Sequence, residues 1–244
     1  MTNTNTIKLK AYKKDFDYSY TSDAFATNEL LKTRPELLGC VYVHSEYRDT
    51  DGITALCKAQ QVPCIQSDKA FSSVNQKENS YILGVFRKYE STLSDSEPHV
   101  VLVNSSDMGN LGTIIRTIIG MNVKNLVVIE PAADIWNPKT VRASMGALFH
   151  IRHASFNGFE EYAEAYPNHM LFPFMLDGEF SPEETPSCGL FSLVFGNEAT
   201  GLDANFKQLG HSVKIPLTDR IDSFNLASAV SIGTYIFARK NGLI

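Results

Sequence analysis

Three observations predict an α/β fold built on a mostly parallel sheet. Short apolar runs of strand length alternate with helical patterns from residue 98 onward. Those runs are almost wholly apolar, as strands covered on both faces are. Polar, glycine-containing segments follow several of them, where such sheets carry their chemistry. The 244 residues (27.1 kDa) suit one large domain or two modest ones. With 43% hydrophobic and 20% charged residues there is material for a real core, which excludes a disordered chain. No apolar run approaches the roughly 18 residues of a membrane span. The start, MTNTNTIKLKAYKKDF, has no apolar stretch of a secretory signal.

The elements follow in order. Ser22 is expected to cap a helix to about Lys32, which ends before Pro35. CVYVH (40–44) reads as a buried strand. A helix starting at Thr50 or Asp51 runs to about Gln60, and Asp68 caps a short helix over Ala70–Val74. YILGVF (81–86) is another strand. KYESTLSDSEPH (88–99) is polar, carries Pro98 and separates apolar runs, so it reads as an interdomain linker. The expected domains are therefore 1–90, a small α/β unit, and 98–244. In the second, HVVLVN (99–104) and NLVVIE (125–130) are strands, with a helix over GNLGTIIRTIIGM (109–121) between them. A helix follows Pro138. MLFPFML (170–176), SLVFG (192–196) and SVKIPL (212–217) are further strands, and SFNLASAVSIGTYIFARK (223–240) is the last helix.

Cys40, Cys57, Cys64 and Cys188 form no CxxC pair and read as reduced thiols of a cytoplasmic protein. Of six histidines only His150 and His153 are close, so no metal is expected. Net charge is −5. Residues 1–96 carry 12 basic and 12 acidic side chains, residues 97–244 carry 10 and 15. This balance alone argues mildly against a nucleic-acid partner, whose phosphates attract Lys and Arg.

No Gly-rich dinucleotide fingerprint and no phosphate-binding P-loop is present. Three other segments stand out. In DMGNLGTIIRT (107–117), Gly109, Asn110 and Gly112 open a helix whose free amides suit a polar ligand. Arg116 there fits either a surface pair with a carboxylate or a ligand contact. In LVFGNEATGLD (193–203), a strand ends at Gly196 and polar Asn197 and Glu198 follow. A plain turn and a ligand loop both fit. In IPLTDRIDSFNLASAV (215–230), a polar loop leads to Ser223, Asn225 and a narrow helix of small residues. That helix suits either an ordinary buried position or a subunit interface.

Together and in this order, the three segments resemble the motifs of the SpoU/TrmH-type RNA ribose methyltransferases of the SPOUT class. Asn110 and Arg116 stand at the polar positions of the first motif. Gly196, Asn197, Glu198 and Gly201 stand in the second, Ser223 and Asn225 in the third. NPKTVRASMGALFH (137–150) is similar to a further family stretch. The resemblance spans nearly all of 98–244. Residues 1–90 resemble the L30e-like RNA-binding domain of many relatives. Two departures are Phe224, where relatives usually have Leu, and the acidic balance.

The resemblance implies a C-terminal trefoil knot, S-adenosylmethionine as cofactor, and a homodimer formed largely through helix 223–240. The cofactor pocket would comprise Gly196, Asn197, Ile215, Leu217, Phe224, Asn225 and Leu226. Arg116, Asn110, Glu198, Ser223 and Asn225 would serve methyl transfer to a ribose 2′-oxygen of ribosomal or transfer RNA. Because guanidinium stays protonated, Arg116 is expected to stabilise developing alkoxide or clamp a phosphate, with Glu198 and Asn110 orienting it. A non-catalytic RNA-binding protein and a methyltransferase for another substrate remain as alternatives. Elsewhere, Trp136 is expected to pack in a core. Lys8, Lys10, Lys13 and Lys14 read as a solvated arm, with Lys139 and Arg142 better placed for phosphate. Cys188 reads as a loop residue.

Overall fold

The computed structural model describes residues 9–74 and 80–244. In chain order the elements are β1 (Tyr18–Thr21), α1 (Ala24–Thr33), β2 (Leu38–Val43), α2 (Thr50–Ala59), β3 (Cys64–Gln66), α3 (Asp68–Ser73) and β4 (Ile82–Arg87). Then come β5 (His99–Val103), α4 (Met108–Gly120), β6 (Asn125–Ile129), α5 (Pro138–Ala143), β7 (Arg152–Phe156), α6 (Phe159–Ala165), β8 (Met170–Pro173), β9 (Phe191–Phe195) and α7 (Leu226–Lys240). The chain forms two compact units. One comprises residues 1–88 with 136–149, the other 89–135 with 150–244.

The first unit holds a mixed sheet in the order β1-β4-β2-β3, where only β2 and β3 run parallel. β1 and β3, absent from the sequence reading, are short edge strands, too short for an alternation to show. Helix α1 is capped by Asp23, whose carboxylate accepts from Ala26 N at 2.8 Å, and not by Ser22. Likewise Ser67, not Asp68, precedes α3. Residues 136–149 fall here, against the expected boundary of 98–244, because their apolar side chains pack in this core. Trp136 is buried beside Phe86, Phe149 packs edge-on to the same ring, and Arg34 Nε donates to Phe149 O. The basic arm is not a free tail from residue 10 onward. Tyr20 donates its hydroxyl to Lys10 O, and Lys88 donates to Lys14 O. Lys8 lies outside the described residues.

The second unit is a five-stranded, wholly parallel sheet in the order β7-β6-β5-β9-β8. Strands β5, β6 and β9 are buried along their whole length, as their near-continuous apolar sequences require, with only His99, Asn125 and Ser192 polar. One face buries Val101, Val127, Ile129 and Val194 against Phe159 and Tyr162 of α6. Helices α4 and α7 pack together on this sheet. α4 contributes Leu111, Ile114, Ile115 and Ile118, and Gly233 of α7 lies so close to Phe174 that an added Cβ would meet its ring at 2.6 Å. The expected linker is part of this unit. Leu93 is buried in its core, and Ser94 N donates to Asn125 Oδ1.

SVKIPL is not a strand, because only Val213 makes sheet-like bridges. The segment instead threads between two stretches of chain. On one side His211 N and Val213 N donate to Leu171 O and Pro173 O. On the other, Phe180 N donates to Ser212 O and Lys214 N to Phe180 O. Glycines make this possible: a Cβ on Gly178 or Gly210 would strike Val213 or Leu171 backbone within 2.4 Å. Residues 174–180 thus wrap the segment that leads back to α7, the passage a C-terminal knot demands.

Candidate active site

The order of the parallel sheet reverses between β5 and β9. The chain steps one way through β5, β6 and β7, and the other way to β9 and β8. Loops leaving the carboxyl ends of strands at such a point form a natural crevice. Here they are 104–107 after β5, 174–178 after β8 and 196–201 after β9, joined by the threaded segment 213–225.

A cavity of about 260 Å³ opens among the last three. Phe174, Phe195, Ile215, Leu217 and Phe224 give it apolar walls, and Gly196–Gly201 supply a backbone rim. Seven residues were expected to hold a cofactor. Gly196, Asn197, Ile215, Leu217, Phe224 and Leu226 all line this cavity, whereas Asn225 does not. Of the residues expected to serve chemistry, Glu198 and Ser223 line it, and Asn110 and Arg116 do not.

A hydrogen-bonded clasp ties these motifs together. Glu198 Oε2 accepts from Ser106 N at 3.0 Å and from Ser106 Oγ at 3.2 Å. Its Oε1 accepts from Asp107 N at 3.2 Å and Asn110 Nδ2 at 3.3 Å. Asn225 Nδ2 in turn donates to Asn110 Oδ1 at 3.1 Å. The first, second and third motifs are thereby joined through Asn110. Burial works against the Glu198 charge, but the amides of Ser106 and Asp107, its own N–H and the Asn110 amide outweigh it and hold the carboxyl below its ordinary pKa. Glu198 is therefore an ionised acceptor with its lone pairs in use, a poor proton acceptor at neutral pH.

The asparagines do structural work that sequence reasoning assigned to a ligand. Asn197 Nδ2 donates to Asn104 O at 2.7 Å, and its Oδ1 accepts from Ala199 N at 2.8 Å and Thr200 N at 3.3 Å. It folds the 197–201 turn and pins it to the first residue of the loop after β5. Asn225 caps α7 through Ala227 N at 2.9 Å. The glycine at 196 serves the same turn, since a Cβ there would lie 2.2 Å from the Gly201 carbonyl carbon. Ser223 is the exception: exposed on the lining, its hydroxyl makes no hydrogen bond among the described residues. Arg116 stands apart. It is exposed on α4, six residues or about 9 Å of helix rise beyond Asn110, and pairs with nothing among the described residues. Sequence reasoning missed Asn104, Ser106 and Asp107. Asn104 sits at φ 54, a conformation Asn tolerates better than most residues, and Asp107 caps α4 through Asn110 N. A polar NSSD run between a strand and a helix was the available signal.

Residues 97–235 match the family model described as SpoU rRNA Methylase family. The chain belongs to the SpoU rRNA methylase family. Among its curated relatives is the 23S rRNA (guanosine(2553)-2'-O)-methyltransferase RlmP of Bacillus subtilis, 29% identical over 182 residues that span 69% of each chain. The 23S rRNA (uridine(2479)-2'-O)-methyltransferase of Streptomyces viridochromogenes is 31% identical over 144 residues, covering 54% of this chain and 49% of the relative. This SpoU chain thus spans about half the length of the Streptomyces relative. Its fold is that of an AdoMet-bound rRNA methyltransferase from Sinorhizobium meliloti, with TM-score 0.76, 23% identity, and coverage of 91% of this chain and 87% of that one. The SpoU methyltransferase AviRb from Streptomyces viridochromogenes, in complex with AdoMet, superposes with TM-score 0.78 at 18% identity, over 92% and 90%.

Proposed function

We propose that this SpoU family member transfers a methyl group from S-adenosylmethionine to a ribose 2′-hydroxyl of ribosomal RNA. The observation that carries the reading is the clasp through Glu198, Asn110 and Asn225. It draws three distant segments around one cavity at the reversal point of the sheet. The cavity suits the cofactor chemically, since an adenosyl group needs apolar walls with backbone N–H and C=O partners at the rim. Ile215, Leu217, Phe224 and Leu226 would supply the walls and Gly196–Gly201 the backbone. Bound there, the cofactor supplies a methyl group already activated by a sulfonium charge.

The residues of the chain then align the acceptor oxygen and ease loss of its proton. Ser223, whose hydroxyl on the lining makes no hydrogen bond among the described residues, is assigned to orient the ribose. Asn110, Asn197, Glu198 and Asn225 act as positioning residues, because their polar groups are spent on one another and on backbone. Arg116 is assigned to the developing alkoxide or the adjoining phosphate. Its exposed, unpaired position on α4 fits delivery to the cavity of a second copy in a homodimer built on α4 and α7. Residues 1–90 are assigned to RNA recognition, and the cytoplasm is the expected compartment. No helix among the described residues is long and apolar enough to cross a membrane.

Incubating the protein with ribosomal RNA and S-adenosylmethionine carrying a labelled methyl group tests the reading. Label in a 2′-O-methylnucleoside is expected, and Arg116→Ala should abolish it while calorimetry still detects S-adenosylhomocysteine. Strong residual transfer by Arg116→Ala would remove Arg116 from the reaction. Light scattering at micromolar protein should give twice the chain mass.

A further inference from the structure

The next inference rests on the proposed RNA 2′-O-methylation. A ribose that offers its 2′-oxygen at the cavity mouth brings its own base and neighbouring phosphates within one nucleotide of that mouth. Two loops there carry unusual surfaces. Leu176, in the loop after β8, lines the cavity yet is 61% exposed. Between the lining residues Leu217 and Ser223, residues 218–222 are exposed throughout, and Ile221 stands 48% in solvent. Single exposed aliphatics are ordinary. Two on the loops that frame one cavity leave apolar area for a ligand to cover.

Charge points the same way. The lining holds Asp177 and Glu198 and no Lys or Arg. Glu198 is spent on the clasp, and Asp177 pairs with Lys207 at 3.3 Å. A polyanion approaching this net-negative chain needs a local cation. In loops 104–110, 174–178, 196–203 and 213–225 the cations are Lys214 and Arg220. Lys214 alternates with the lining residues Val213 and Ile215 and is itself exposed, outside the lining. Arg220 lies at the tip of the exposed loop beside Ile221, with no hydrogen bond or ion pair among the described residues. Its neighbours Asp219 and Asp222 do not neutralise it by contact.

We propose that Leu176, Arg220 and Ile221 form the docking lip for the target nucleotide. The guanidinium pairs with a phosphate next to the reacting ribose, and the two aliphatic side chains cover the faces of its unstacked base. RNA bases become readable, and their riboses reachable, when splayed out of the helix. Aliphatic wedges beside a cationic contact are a recurrent means of holding nucleic acid in such a state.

Filter binding of ribosomal RNA across a salt series, with methyl transfer measured in parallel, tests the lip. Arg220→Ala should weaken RNA binding about tenfold and flatten the log–log salt dependence by roughly 0.7 to 1, the share of one phosphate. Its affinity for S-adenosylhomocysteine should stay within about twofold of wild type. Arg220→Lys should restore the salt slope and part of the affinity. Ile221→Ser, at an exposed site where folding is little disturbed, should slow transfer without changing the slope. Wild-type RNA affinity in Arg220→Ala, or wild-type transfer in Ile221→Ser, overturns the inference. A wild-type protein that transfers no methyl group to any ribosomal RNA overturns the underlying activity instead.

Discussion

Glu198 shows how a side chain can sit in a family motif and serve it by holding others. Its carboxylate accepts from four donors on the loop and helix after β5. Glu198→Gln replaces one acceptor oxygen with an NH₂ that must face donors, so two of the four bonds lose their partner. The expected cost is about 2 kcal/mol. Thermal unfolding should show that loss, and the activity–pH profile should keep its shape. A profile whose lower limb disappears would mark Glu198 as the base. Gly201 is needed for another reason. At φ +69, with open space around its Cα, it is constrained by backbone conformation and not by crowding. Gly201→Ala should cost roughly 1–2 kcal/mol in a denaturant titration. At this scale the specific motifs pointed to residues that the fold brings together, with Gly196, Glu198, Ser223 and Phe224 at the cavity and Asn110 and Asn225 in the clasp, while Arg116 stands apart. The motifs did not show their duties. Asn197 and Asn225 read as ligand contacts, since nothing in the chain order tells that Asn104 O and Asn110 Oδ1 lie within reach of their amides.

Elements with long apolar patterns were the legible ones. Strands β5, β6 and β9 and helices α4 and α7 carry long apolar patterns and lie close to where expected. β7 (RHASF) was hidden because its burial is only partial and its composition polar. SVKIPL misled because an apolar run can line a cavity while threading a loop, with only Val213 paired. At the amino ends of the strands, roughly 16 Å from the site along five-residue strands, lies a buried polar chain that no motif announced. His99 donates Nε2–H to Ser94 O, and Tyr162 donates to His99 Nδ1, both at 2.9 Å. Ser192 joins Tyr162 to His169 Nδ1. Burial lowers the His99 pKa from 6.5 to about 4, opposed by its bond to Ser94 O, and burial also lowers that of His169. Tyr162, Tyr166 and Asp95 are the other titratable groups around the pair. The unfolded chain takes up this proton near pH 6.5 and the folded protein only near 4. Stability is therefore complete above about 6.5 and lost as pH falls towards 4, by an amount on the order of 3 kcal/mol for His99. The melting temperature should drop over that range, and His99→Gln should flatten the drop. Equal slopes in the two proteins would refute this account of the cluster.

At the scale of the whole molecule, the two units are joined by three crossings of the chain, at 88/89, 135/136 and 149/150. The expected boundary lay near the first, although its polar run 88–99 packs into the second unit, and NPKTVRASMGALFH, as apolar as its surroundings, gave no sign of the other two. A fragment of residues 1–90 lacks Trp136 and Phe149, the ring partners of Phe86. It should show weak, non-cooperative unfolding by circular dichroism, whereas the full chain should melt cooperatively. A fragment that melts as a stable domain would separate the units as modules. The parallel sheet, its reversal point and the threaded segment converge on one cavity, and methyl transfer to ribose is the claim built on it. The most direct test is mass spectrometry of nucleosides from ribosomal RNA treated with the protein and methyl-labelled S-adenosylmethionine. A labelled 2′-O-methylnucleoside at one position is the predicted result. Label on a base, or none in any ribosomal RNA offered, would contradict it.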